Sequence, residues 1–353
     1  MKSNTSKHTP KKISKIMGEF SFIIVFLVIF VIYAITCNGL TWGGMMNIFR
    51  HSAVIGVMAV GMGLVIVTGD IDLSVGSLLA FDAGFSVVIF NMTNSIVITL
   101  LFAVGFGMVC GLINGLLVGA VKIPSFIVTL ATMLIFRSFA QYYCQKIDKK
   151  LIGQGSSVYK MIHDNSSYQP LYDFGNGRIA TIPIVGIILI VVTISLVYLS
   201  TSTKYGKKVY AIGSNDIGAH MAGINVSLIR VSVFALSGLL TGLGAFLWIS
   251  MNASADPATT GRSYEMYAIA SVVLGGIAMQ GGKGKFLGIL FGAMSYTIID
   301  KIIIALKMDS LINDAIKGII LIIVIMVQIA GPKLKQKLVH TYIGSSHVKH
   351  NAA

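Results

Sequence analysis

Ten apolar runs, separated by short polar breaks, make up most of this chain. A helix needs roughly 20 apolar residues to cross the hydrocarbon of a bilayer, and somewhat fewer where it is broken. On that rule spans fall near 20–36, 51–68, 73–90, 95–120, 125–140, 182–200, 229–250, 266–279, 284–306 and 312–330. The runs 125–140 and 266–279 are short, and a short, Gly-interrupted run can re-enter the membrane instead of crossing it. The runs are continuously apolar, whereas the strands of a membrane barrel alternate. The pattern therefore predicts an all-α integral membrane protein, a polytopic helical bundle of about ten spans (eight to ten).

Composition agrees. Of 353 residues, 55% are hydrophobic and only 11% charged, with a mean hydropathy of +0.83. Soluble domains carry about a quarter charged residues. The net charge of +14 does not signal nucleic acid, because the basic residues gather in the two tails and in short loops between apolar runs. That is the positive-inside bias, with some attraction to anionic lipid. With ten spans and the N-terminus inside, sixteen Lys and Arg fall on the inner side, eight outside and three within spans. Both termini are then cytoplasmic. The chain accordingly divides into a basic cytoplasmic tail 1–19, a polytopic membrane domain 20–330 and a second cytoplasmic tail 331–353. Segment 141–181 lies outside the cell and segment 201–228 in the cytoplasm. The run 20–36 is longer than the core of a cleaved signal peptide and reads as an uncleaved first helix. Cys37, Cys110 and Cys144 are scattered small hydrophobes with neither metal nor disulfide spacing.

The most informative break is VIVTGDIDLSVGS (65–77). Ionised carboxylates at membrane depth are costly and usually mark function, so Asp70, Asp72 and Ser74 are candidates for lining a solute path. The alternative is an ordinary surface loop in which Asp72 or Ser74 caps the next helix. A fainter echo, VVLGGIAMQGGKG (272–284), also runs through a Gly-rich break into a new helix. Paired broken segments point to a transporter's path. Within the spans, Asp82 has two readings, a functional carboxylate or one bonded to a Ser or Thr on a packed helix. Arg137 falls near a span end, where snorkelling or charge neutralisation is expected. In 201–228, Gly213, Asn215, Asp216, Gly218 and Gly223 punctuate a stretch in which Asp216 is placed as the N-cap of a short amphipathic helix. Such a helix could receive movement from a soluble partner; the alternative is a plain connection. Segment 141–181 is long enough to carry small elements of its own, and its tyrosines read as interfacial anchors.

No phosphate-cradling loop, HExxH or zinc cluster is present; GGKGK (281–285) has the wrong spacing for the first. No cofactor or metal is expected, and nothing supports an enzyme. Two transport classes remain: a permease driven by a separate ATPase, and an ion-coupled carrier using Asp70, Asp72 or Asp82.

Four ordered segments carry a resemblance that covers nearly the whole chain: GDIDLSVGS (69–77), KIPSFIVTLATMLIFR (122–137), KYGKKVYAIGSNDIGAHMAGIN (204–225) and YEMYAIASVVLGGIAMQGGKG (264–284). Together they resemble the bacterial ABC-type sugar permeases, in the ribose/galactose/xylose branch, and the resemblance implies a place in the bacterial cytoplasmic (inner) membrane. The resemblance implies a permease subunit, usually a homodimer, serving a cytoplasmic ABC ATPase with tandem nucleotide-binding domains and an extracytoplasmic sugar-binding protein. It further implies that 204–225 docks the ATPase and that the Asp-containing break, with Glu265, lines or gates the path. Two departures stand out. Tyr267 occupies a position that is commonly acidic in the family, and Asp70 one that is commonly Gly. The sugar is not named by the motifs; ribose, galactose, xylose and autoinducer-2 permeases share them.

Overall fold

A computed structural model describes residues 21–37, 41–153, 157–308, 312, 315–320, 322–323 and 326. Both basic tails and much of the run 312–330 lie outside the described residues. The chain divides into two units, Met1–Ile302 and Ile303–Ala353, and the first holds every residue that shapes the candidate site.

The helices in chain order are α1 (Ser21–Thr36), α2 (Trp42–Val67), α3 (Val75–Thr93), α4 (Ile96–Gly115, continued by a π-turn over Leu116–Ala120) and α5 (Ser125–Lys146). After a segment with the short strand β1 (Tyr159–Lys160), helix α6 (Tyr168–Asn176) and the hairpin β2–β3 (Arg178–Ile179, Ile182–Pro183), α7 covers Ile184–Ser202. Two polar helices come next, α8 (Lys204–Ser214) and α9 (Asp216–Met221), then α10 (Val226–Asn252). Strand β4 (Ser254–Ala255), the short α11 (Tyr264–Leu274) and α12 (Phe286–Ala305) complete the order. Among the described residues seven helices are long and apolar enough to cross a membrane: α2, α3, α4 with its π-turn, α5, α7, α10 and α12. Helix α11, at 1.5 Å per residue, is only about 16 Å long, and so is the broken element that its short run suggested.

Two spans differ from their sequence bounds for identifiable reasons. Helix α2 starts well before residue 51 because Thr41 caps it, accepting from the Gly44 amide at 3.1 Å; Asn47, Arg50 and His51 hide its first turns from an apolar count. Helix α5 runs on to Lys146 through Gln141 and Gln145, which places Arg137 in mid-helix and not near a span end. The tyrosines of 141–181 also divide. Tyr142 is exposed, but Tyr159 is fully buried and donates to the Ala140 carbonyl at 2.9 Å, while β1 pairs antiparallel with β4.

Packing centres on α2, α3 and α10, which are mostly buried, while α4, α5 and α7 turn apolar faces outward. Between helices in lipid there is little hydrophobic drive, so association rests on close van der Waals contact and small residues. The α4–α10 contact shows this. Gly107, Gly111, Gly115 and Gly119, four residues apart, line one face of α4 and its π-turn against Gly238, Gly242, Val231 and Ser227 of α10. A Cβ at Gly111 would lie 2.9 Å from the Gly238 Cα, and one at Gly107 2.8 Å from the Gly242 nitrogen. The backbones therefore touch with no space for a side chain.

This seam predicts a sharp positional contrast. Gly111→Leu is expected to cost about 2 kcal/mol or more through overpacking, read as a lower melting temperature and lower yield in detergent. Gly105→Leu, on the same helix where a Cβ meets nothing within 4 Å, is expected to behave as wild type. Equal tolerance at both positions would contradict the seam.

Candidate functional site

The two polar breaks meet. Break one, Thr68–Ser74, joins α2 to α3, and break two, Gly275–Lys285, joins α11 to α12. The Gly282 amide donates to the Val67 carbonyl at 2.9 Å, and Gly281 lies so close to Gly69 that a Cβ there would be 2.9 Å from the Gly69 nitrogen. The last turn of α8 sits on this joint. A Cβ on Gly213 would collide with the Val67 carbonyl and stand 2.5 Å from the Gly282 nitrogen. Tyr210, on the same helix, donates to the Gly284 carbonyl at 2.8 Å, and burial pushes its phenol up to about 12. One helix thus bears on both breaks at once.

Within break one the polar groups satisfy one another. Asp72 Oδ1 accepts from the Ser74 amide at 2.9 Å and from the Ser74 hydroxyl at 2.6 Å. Asn114 Nδ2 donates to that hydroxyl at 2.9 Å. Asp72 and Ser74 are both buried, so the break is not a surface loop; Ser74 stands at the N-cap of α3 without a side-chain capping bond, and Asp72 closes a two-residue turn on it. Ile71 is held by α5 through the Ser125 hydroxyl and Thr129. Asp70 lies toward a groove of about 1100 Å³, whose lining includes Lys122, Ser125, Phe126, Asp216 and Arg230. Burial raises the Asp70 pKa and the Arg230 guanidinium opposes that rise. Arg230 Nε is 3.1 Å from Asp70 Oδ2, and Nη2 is 3.3 Å from Asp216 Oδ2.

Segment 201–228 is helical over most of its length, but its cap is not Asp216. Asn215 is the N-cap of α9, accepting from the Gly218 amide at 2.9 Å; Asp216 is the first helical residue and is thereby free to reach Arg230. Gly223 ends this helix with φ +79° and nothing near it, so its requirement is conformational rather than steric. Ile217 and Met221 project outward, 74% and 84% exposed.

A second knot lies where α3 and α11 begin. Arg137 Nη1 donates to the carbonyls of Pro257 at 3.0 Å and Thr260 at 2.7 Å, and Nη2 reaches the Gly76 carbonyl at 3.4 Å. Glu265, in the first turn of α11, packs its carboxylate against Gly76, near the favourable end of its helix dipole. The N-termini of α3 and the short α11 therefore approach one another, as in transporter folds with broken helices. The snorkelling expected of Arg137 is replaced by internal bonding, since the carbonyls of Pro257 and Thr260, in the irregular connection before α11, need donors inside the protein.

The family model for the permease component of branched-chain amino acid transport systems matches residues 44–325. The chain belongs to this family. It is 32% identical over 313 residues to the ribose import permease protein of Escherichia coli (strain K12), covering 88% of this chain and 94% of that one. It is 33% identical over 305 residues to the ribose import permease protein of Bacillus subtilis (strain 168), covering 86% and 90%. The autoinducer 2 import system permease protein of Yersinia pseudotuberculosis serotype IB is 31% identical over 275 residues, covering 78% and 74%. No solved structure matches the chain. The chain is thus a multi-pass membrane permease component, in keeping with the family resemblance of its motifs.

Both departures of this permease from the motif pattern have structural partners. Tyr267 packs with Tyr264 and Tyr296, ring centroids 5.5 and 4.8 Å apart, so an aromatic cluster stands where an acidic residue is common. Asp70 has Arg230. Asp82 is enclosed between helices: Oδ1 accepts from Ser86 of its own helix at 3.0 Å, and Oδ2 faces Gly242. Arg230 and Asn114 were not singled out by sequence; Arg230 counted only as one more inner-side cation, and nothing local marks Asn114.

The Arg137 knot is expected to matter for stability. Arg137→Met strands three carbonyls and is expected to lose about 3 kcal/mol or more, seen as a melting temperature well below that of Arg137→Lys in thermal scans of the detergent-solubilised protein. A melting temperature for Arg137→Met equal to that of wild type would show that the guanidinium holds nothing.

Proposed function

We propose that this permease is the membrane conduit of an ATP-driven importer of a monosaccharide, working in the cytoplasmic membrane. Its partners are a cytoplasmic ABC ATPase with tandem nucleotide-binding domains, an extracytoplasmic sugar-binding protein and a second copy of this chain. Ten spans with both termini inside put α8, α9 and the groove in the cytoplasm, on the side to which the basic residues assign them. The observation that carries the reading is the seating of Gly213 on the joint of the two breaks. A push on α8 and α9 has no slack to absorb it there, so it reaches break one and break two together. Sugar relatives on both counts, ribose and autoinducer 2, support a small hydroxyl-rich substrate.

The mechanism proposed is alternating access. ATP-driven closure of the ATPase moves 201–228, with Gly213, Asn215, Asp216, Gly218 and Gly223 giving the segment its shape. The breaks then shift the starts of α3 and α12, while Arg137 and Glu265 hold α3 and α11 together at the other knot. Asp70, Asp72, Ser74 and Glu265 border the moving parts, and Asp82 serves packing beside Gly242. Specific sugar binding belongs to the secreted partner, because tight binding within the conduit would slow release.

The test is reconstitution in liposomes with the ATPase and binding protein, using ribose as probe. Uptake is expected to need ATP, and the permease alone under a proton or sodium gradient is expected to move no sugar; gradient-driven accumulation would instead establish the ion-coupled carrier. Gly213→Val is expected to leave ATPase activity while transport falls about tenfold, within the range of a typical coupling free energy. Normal uptake by that variant would remove α8 from the coupling route.

A further inference from the structure

Arg230 is one turn into α10, near the positive end of a helix, where a cation is disfavoured. It is held there by two carboxylates from different parts of the chain. Nε faces Asp70 of break one at 3.1 Å, as an ion pair instead of an aligned hydrogen bond, and Nη2 faces Asp216 at the start of α9 at 3.3 Å. Asp70 is 8% exposed and also receives the Thr68 hydroxyl at 3.3 Å. All three charged residues line the same groove. The guanidinium is the only group among the described residues that joins α9 to break one by ion pairs.

We infer that Arg230 is a positioning residue for transport: it converts displacement of α9 into displacement of Asp70 and so of the start of α3. The inference rests on the functional reading above and adds to it a second route, independent of the Gly213 contact. The carboxylate at position 70, where the motif pattern commonly has Gly, is the element that gives this chain the route. Geometry also explains why arginine is needed. Nε and Nη2 lie on one planar fork and can address two carboxylates, whereas a lysine ammonium is a single point that cannot reach both at these distances.

The test uses the full complex in liposomes and reads ribose taken up per ATP hydrolysed. Arg230→Gln and Asp70→Asn are each expected to keep ATPase activity within about twofold of wild type while the ratio of ribose to ATP falls about fivefold or more. Arg230→Lys is expected to give an intermediate ratio. The neutral triple variant D70N/D216N/R230Q leaves no unpaired buried charge, so it is expected to fold even where a single variant does not, and to show the same lowered ratio. A wild-type ratio in Arg230→Gln or in the triple variant would overturn the inference. So would a parallel loss of ATPase and transport with a lowered melting temperature in the triple variant, because that is what a purely structural ion pair would give. A wild-type complex that takes up no ribose on ATP addition, while sugars of other classes also fail, would overturn the functional reading itself before any variant is compared.

Discussion

The spanning helices of this bundle have to be held without help from water, and at the central seam backbone contact at glycine is what holds them. Lipid is as apolar as leucine, so apolar side chains gain little by leaving it. The α4–α10 seam replaces that missing drive with close packing of bare backbone, Gly107 and Gly111 against Gly238 and Gly242. The same device recurs at the joint, where Gly213 lies on Val67 and Gly282. In the seam it makes a rigid core. At the joint it makes a bearing between a polar helix and two broken segments.

The second constraint is that polar groups set free by a broken helix must find partners inside the protein. Break one meets it with Asp72, Ser74 and Asn114, and the starts of α3 and α11 meet it with Arg137. These are the same places where the chain can bend, since neither break is locked by a continuous ladder of helical hydrogen bonds. Structural satisfaction and mechanical freedom are therefore properties of the same few residues.

How much of this was legible in the sequence depends on the range of each interaction. The membrane class, most spans and the family were readable because apolar length and contiguous motifs are local properties. Helix α5 was cut short because Gln141 and Gln145 look like loop, and α2 because Arg50 and His51 look like an end. Asp72 was readable as a residue that bonds its own turn, since its partner Ser74 is two residues away. The partners of Arg137 and Asn114, and Asp70 as partner of Arg230, were not, because they lie 40 to 160 residues distant and no local pattern announces them. The pairing of the two breaks was hinted at by their likeness, but likeness alone does not say that they touch.

The π-turn at Leu116–Ala120, closed by the Val121 amide on the Leu116 carbonyl at 3.0 Å, sets the phase of everything beyond it. In a straight α-helix each four-residue step overshoots a full turn by about 40°, so a glycine stripe spaced by fours winds steadily off its partner. The widened turn, which includes Gly119, takes back part of that drift, and Gly119 still meets Ser227, its carbonyl accepting the serine hydroxyl at 2.6 Å. One residue fewer in this turn would rotate Val118 to Phe126 about the helix axis and aim that wall of the groove elsewhere, with no change in any residue that touches Arg230.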